Sequence, residues 1–393
     1  MNDAAPLNSQ LSTLATRWQT RALIIGAIAT LLSLLGLFLD RAQFFHSYLF
    51  AWLFWTGLAF GSLVLVMMQA LSGGVWGAAG RHLSIAAFMT LPLVALLFLP
   101  VLFGAHWIYG WSNGENGEAP GYHHKAEWLN LPFFTARTAV YFAIFIVIAF
   151  LVRRWCLAEE AAPSSDSTPS RARLGAISAI GLILYGVLTI FTSADWVMSL
   201  DPKWFSTIFV IVFAAGQFLS ALALMTALLT QFARHPSYAG RVPVKAFHDL
   251  GSMLITFVIF WAYVSFSQFL IIWSGNLPKE ISWYLERSRG GWQWLALALF
   301  LLQFLLPFLL LLSRTRKRNP AALAGICLLL LGANIVNTFW LVAPSFHPAG
   351  FYVHWLDLTE WLALGGFWFA LFFYFLKQAP LFPRDLAMES NDE

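Results

Sequence analysis

Asp249, Ser252, Thr256, Tyr263 and Ser267 fall within an arc of about 60° on a helix that turns about 100° per residue. A carboxylate followed by a row of hydroxyls, with His248 at its start, is the material of a hydrogen-bonded chain along which a proton can move. Ser206, Gln217, Ser220 and Gln231 share one side of the preceding helix, with wider gaps, so two facing stripes could hold a file of water. The same residue types also bond across packed membrane helices with no transport role, and the sequence leaves both readings open. Asp195, Asp357 and Glu360 are a second set, each within a turn or two of the end of an apolar run. A carboxylate deep in a membrane costs roughly 2.5–3.5 kcal/mol on insertion scales, so it marks function, a buried pair or a reach to the headgroups. Asp357 and Glu360, three apart, share a helix face, and Arg137 is the one cation placed to pair with any of the three acids. Asn334 and Asn337 read as packing contacts between helices.

Other chemistries lack their residues. A haem held inside the membrane needs histidines on facing spans, whereas the nine histidines fall at helix ends or in loops. His123 and His124 are adjacent, so regular structure points their rings apart, and solvent-facing loop histidines are the reading preferred over a shared metal site. Cys156 and Cys327 are isolated, which supplies neither a disulfide framework nor a zinc or iron–sulfur site. There is no phosphate loop, dinucleotide fingerprint or nucleophile elbow. Gly73-Gly74-Val75-Trp76-Gly77 follows a membrane helix and reads as the turn that ends it. What is left is proton, ion or lipid-soluble substrate handling, or chemistry that belongs to a partner.

The elements that carry these residues are plain. Of 393 residues, 59% are hydrophobic and 11% charged, against about a quarter charged in soluble proteins. Ten nearly uncharged runs, 22–39, 47–71, 83–105, 133–152, 174–194, 204–233, 250–273, 290–313, 320–343 and 352–376, are mostly long enough to cross about 30 Å of hydrocarbon as helix. The expected fold is therefore all-α and polytopic, a single integral membrane domain over 1–393. Alternate loops, with the two terminal segments, hold 16 of the 23 Lys and Arg, which places both termini in the cytoplasm. The net charge of +4 is explained by these membrane-flanking residues, and no nucleic-acid partner is expected.

Segments outside the spans differ in kind. Residues 1–21 are polar and lead into a run too long for a signal peptide, so they read as a cytoplasmic segment before a retained anchor. Residues 157–170 read as a flexible cytoplasmic linker by their Ala, Ser and Pro content, and 378–393 as a cytoplasmic tail. The outer loop, 106–132, carries Trp107, Tyr109, Trp111, Tyr122 and Trp128, suited to an interfacial aromatic belt or to docking, with the belt preferred. Asp201-Pro202 suits a helix start, with an N-cap carboxylate followed by proline at the first helical position, which would make helices five and six a tight hairpin.

Several phrases look like one family: Ser193-Ala194-Asp195-Trp196-Val197-Met198-Ser199-Leu200-Asp201-Pro202-Lys203-Trp204-Phe205-Ser206; His248-Asp249-Leu250-Gly251 leading to Trp261-Ala262-Tyr263, Phe266-Ser267-Gln268-Phe269 and Trp273-Ser274-Gly275-Asn276-Leu277-Pro278; Pro307-Phe308 before the basic Arg314–Asn319 cluster; and Leu71 to Gly77. The chain resembles the ActF-type membrane subunits of alternative complex III, within the NrfD/polysulfide-reductase-like family, over helices two to ten. The resemblance implies ten helices as two four-helix bundles with a flanking helix on each side, in a bacterial cytoplasmic membrane beside a homologous NrfD-like subunit. It implies a complex that oxidises menaquinol or ubiquinol and passes electrons through an iron–sulfur subunit and c-type cytochrome subunits, with the haem c and clusters in those partners. Expected of this chain is a cofactor-free subunit, structural and proton-translocating, with Asp195, Asp357 and Glu360 in the outer half and Asp249 in the inner. The alternative is the quinol-binding subunit itself, with Tyr263, Ser267 or Gln268 on the quinone head. A secondary transporter would want paired broken helices at mid-membrane, an arrangement that Pro92, Pro100 and Pro307 do not provide.

Overall fold

A computed structural model of the chain describes residues 4–113, 125–162, 168–235 and 242–378, with residues 4–11 and 168 as helix backbone only. Tyr122, His123, His124, Arg241, the middle of the 157–170 linker and the tail from residue 379 lie outside the described residues. Those described form helices and no strand, and ten of the helices are long and apolar enough to cross a membrane. They are α1 (Ala4–Leu39), α2 (Arg41–Ser72), α3 (Val75–Phe103), α4 (Leu131–Ala161), α5 (Thr168–Trp196), α6 (Phe209–Ala233), α7 (Val244–Gly275), α8 (Trp292–Leu311), α9 (Pro320–Phe346) and α10 (Trp355–Leu376). The chain is an all-α, multi-pass membrane protein.

Local chemistry sets where these helices start and bend. Asp40 opens α2 by accepting from the Gln43 N–H at 3.0 Å, and Gly73 and Gly74 close it at φ 69° and 96°, which only glycine adopts freely. Pro92 and Pro100 break α3 into Val75–Phe88, Leu91–Leu96 and Leu99–Phe103, because each lacks the N–H the ladder needs. A π-helical stretch, Phe300–Leu305, precedes Pro307 in α8.

Three expectations are corrected here. Asp201-Pro202 does not start a helix: the Asp201 carboxylate accepts from the Lys203 N–H at 3.1 Å, an Asx turn, and α6 begins only at Phe209. Residues 157–161 are not linker but the last turn of α4, held by the salt bridges of Glu159 and Glu160. The aromatics of the 106–132 loop that are described turn inward, not toward an interfacial belt. Tyr109 and Trp111 are buried against Phe134, Trp107 stacks on Phe45, and Trp128 covers Arg137.

The centre of the protein is α2, which packs on α3, α5, α6, α9 and α10. Gly57 and Gly61 let it approach α6 so closely that a Cβ at Gly61 would lie 2.2 Å from the Gln217 carbonyl oxygen. The first and last helices run antiparallel and touch backbone to backbone, a Cβ at Gly366 falling 2.4 Å from the Gly26 Cα. Two ends of the molecule can be distinguished by their turns: the Asp40 end, with the α1–α2, α5–α6 and α9–α10 connections, and the Gly73 end, with the α2–α3 and α8–α9 connections.

Candidate functional site

Asp195 and Arg137 face each other at the Asp40 end. Arg137 donates from Nε to Asp195 Oδ2 at 3.0 Å and from Nη2 to Oδ1 at 2.9 Å, a two-pronged charge-assisted contact. The Tyr141 hydroxyl donates to Oδ2 at 3.0 Å and the Trp128 indole to Oδ1 at 2.9 Å. A carboxylate has about four acceptor positions, and all are taken. The guanidinium also lies under the Trp128 ring at 4.0 Å and near Phe133 at 4.3 Å, so both partners are shielded from solvent. This is a buried ion pair that ties α4 to α5, its carboxylate held by four donors.

Asp357 and Glu360 sit differently. Asp357 accepts from the His354 N–H at 2.8 Å, completing a capping box at the start of α10. Its other oxygen accepts from Ser47 Oγ at 2.6 Å and Gln43 Nε2 at 3.5 Å, and the Gln43 side chain reaches His347 Nε2 at 3.0 Å. His347 follows the end of α9, and burial holds its imidazole below the ordinary value, so it is neutral near pH 7. The chain His347–Gln43–Ser47–Asp357 thus runs inward from the Asp40 end. Glu360, one turn deeper and only 1% exposed, accepts from the Ser33 hydroxyl of α1, and no cation pairs with it among the described residues.

The polar stripe of α7 turns away from α6. The buried side of α7 is Leu250, Leu254, Val258, Trp261, Val264 and Gln268, and the stripe lies on roughly the opposite side at 100° per residue. Thr256 and Tyr263 face outward, Tyr263 being 66% exposed. Ser252 and Thr256 donate to the His248 and Ser252 carbonyl oxygens one turn back. The two stripes therefore do not face each other. Large apolar residues such as Phe218 and Phe257, 4.0 Å apart, fill the contact between α6 and α7, while Gln217 turns toward the Tyr185 hydroxyl. Asp249 and His248 form a partly exposed pair at 3.6 Å at the Gly73 end, and Lys317 donates to Ser252 Oγ at 3.3 Å. Asn334 donates to the Gly216 carbonyl oxygen at 2.9 Å, a packing bond between α9 and α6.

Two features had no clear signal in the sequence. Arg81 pairs with Glu159 at 2.9 Å and Glu160 at 3.4 Å, and the buried His82 lies 3.0 Å from Glu160, so α3 and α4 are clamped at the Gly73 end. The second is a cavity of about 930 Å³ between α7, α8, α9 and a short surface helix, Pro278–Arg287. Tyr263 and Gln268 line it and Ser267 does not; no Asp, Glu or His does among the described residues. The described residues also contain no group of three or more His, Cys, Asp or Glu placed for a metal ion. No protein-family model matches the chain, and no curated protein matches it.

Proposed function

We propose that this chain is an integral membrane subunit of a bacterial quinol-oxidising respiratory complex of the alternative-complex-III type, and that it carries a proton half-path at its Asp40 end. In this reading the chain lies in the cytoplasmic membrane with both termini inside, beside a homologous NrfD-like subunit. Iron–sulfur and c-type cytochrome subunits hold the redox groups. The sequence phrases of α5 and α7 support the family, and the grouping into bundles α2–α5 and α6–α9 flanked by α1 and α10 comes with it.

The observation that carries the proton role is Glu360. A carboxyl group buried in a membrane helix beside a serine and no cation is one that can take up and release a proton without breaking an ion pair. Asp357, Ser47, Gln43 and His347 link its neighbourhood to the Asp40 end, which is the outer side in this topology. Asp195 has no part in the path, because its acceptor positions are filled. Asp249 serves no inner half within this chain either: α7 packs on α6, α3 and the basic helix Arg314–Arg318, away from Glu360 on α10. An inner half would have to be completed by a neighbouring subunit.

The test uses the purified complex in liposomes. Glu360→Gln is expected to assemble and to lower the protons released per quinol oxidised; an unchanged stoichiometry with normal turnover would remove the proton role. Recovery of the tagged chain as a lone monomer, without haem or iron–sulfur subunits, would remove the respiratory reading.

A further inference from the structure

The cavity beside α7 is lined almost wholly by carbon, and among the described residues one charged group, Arg287, lies in its wall. Phe266, Phe269, Phe300 and Phe304 line it at the depth of the spans, and Trp273, Arg287, Ser288 and Gln293 lie at its Asp40 end. Its size, about 930 Å³, is at the upper end for ligand pockets, and Tyr263, Phe266 and Trp273 in its lining are exposed, so it opens sideways from the helices and can hold part of an amphiphile larger than itself.

Arg287 is the informative residue. It is 2% exposed, and its Nε, Nη1 and Nη2 donate to the carbonyl oxygens of Trp340 at 3.3 Å, Trp283 at 3.1 Å and Leu341 at 2.9 Å. Nη2 also donates to Ser345 Oγ at 3.4 Å, which leaves one N–H of five uncommitted. The ring of Trp283 lies 3.7 Å from the guanidinium carbon. Every one of these partners is uncharged, and the nearest carboxylate, Glu286, is 4.0 Å away on the partly exposed side. Burial pulls the guanidinium below its usual value, yet an arginine keeps its charge. Glu286 and Asp201 act on the guanidinium from a distance, but among the described residues no carboxylate hydrogen-bonds to it, so the wall of the apolar cavity holds a cation with no bonded anion, and a buried cation is strongly favoured by an anion beside it. Exposed Arg289 lies two positions beyond Arg287, and within the surface helix Lys279 is offset by Glu280.

We infer that this cavity binds one anionic glycerophospholipid, with its acyl chains among the aromatic residues and its phosphate at the Arg287, Ser288 and Gln293 end. A long apolar body and an anionic, acceptor-rich head match the two parts of the cavity. A quinol fits less well, since its oxidation requires proton acceptors and no carboxylate or imidazole lines the wall among the described residues. The inference is independent of the respiratory reading.

The experiment is native mass spectrometry of the purified full-length chain, in its complex where it has one, titrated with phosphatidylglycerol, with diacylglycerol, which has the same chains and no phosphate, and with decylubiquinone. Wild type is expected to hold one phosphatidylglycerol in preference to diacylglycerol. Ala296→Trp, which puts an indole into the cavity, should weaken both. Arg287→Gln should weaken phosphatidylglycerol about tenfold, the loss of one charge-assisted contact, and leave diacylglycerol unchanged. Because Arg287 also holds the ends of α9, Arg289→Gln is measured beside it and should reduce the same preference by a smaller factor. Equal weakening of both lipids by Arg287→Gln, or wild-type affinity for both lipids in a folded Ala296→Trp, would overturn the inference. So would stoichiometric displacement by decylubiquinone, which would make the cavity a quinone site.

Discussion

Removing one member of the Arg137–Asp195 pair is the sharpest test of how α4 and α5 are held. Asp195 is fully buried and Arg137 is 7% exposed, so neither charge left alone can recover its hydration without opening the helix contact. Breaking a buried pair from one side costs about 3–5 kcal/mol, most of it the uncompensated charge. Arg137→Leu should sit at the upper end, because Asp195 keeps only the Tyr141 and Trp128 donors. Asp195→Leu strands the guanidinium, which keeps the Trp128 carbonyl at 2.9 Å and two aromatic faces, and should cost somewhat less. The double variant has no charge to strand. It still leaves the Tyr141 hydroxyl and Trp128 indole unpaired at roughly 1–3 kcal/mol each, so it should fall short of wild type while clearly exceeding the sum of the singles. A double-mutant cycle, followed by tryptophan fluorescence during denaturant unfolding in detergent, is expected to give a coupling of about 2 kcal/mol or more. Strictly additive losses would refute the ion-pair account, as would a wild-type unfolding curve for either single variant.

Gly366→Leu should detach α1 from α10 and lower heat stability in detergent, since its Cβ would meet the Gly26 backbone, whereas Gly186→Leu, which meets open space, should leave stability unchanged. Asp249→Asn, at a partly exposed pair, should leave both assembly and proton stoichiometry within error of wild type, as measured in the same liposomes; a fall in stoichiometry would restore α7 to the proton path. A cytoplasmic reporter fused after Glu393 should be active and one placed near Glu115 should read outside, and the reverse pair of results would invert the two ends of the molecule.

The ten spans were legible because hydropathy and length act residue by residue, and a membrane leaves little other choice for long apolar runs. Helix ends were less so. Glu159 and Glu160 look like linker residues until Arg81, 78 and 79 positions earlier, is seen to close on them. Asp201-Pro202 carries the same residue types as a helix start and is decided by the Lys203 N–H two positions on. The polar stripe of α7 shows the limit most clearly. Periodicity established that Asp249, Ser252, Thr256, Tyr263 and Ser267 share a side, but not which neighbour that side meets. In water an apolar face must turn inward; in a membrane both faces are tolerated, so the direction is set by packing volume. Here Leu250, Leu254, Val258 and Trp261 fill the contact, Thr256 and Tyr263 turn outward, and Ser252 and Thr256 are satisfied by carbonyl oxygens of their own helix.

The same limit separates Asp195 from Glu360. On the sequence they are equivalent, each an acid near the end of an apolar helix, each a candidate for pairing with Arg137 or for carrying a proton. Their roles diverge only because Arg137, 58 positions from Asp195, projects between α4 and α5, while the residue that reaches Glu360 across 327 positions is Ser33. A cation fixes a carboxylate as a permanent charge and makes it part of the scaffold; a hydroxyl leaves it free to exchange its proton. The partner across the helix interface is thus what separates the two acids, an arginine at Asp195 and a serine hydroxyl at Glu360, and in the proposed reading only the second exchanges its proton.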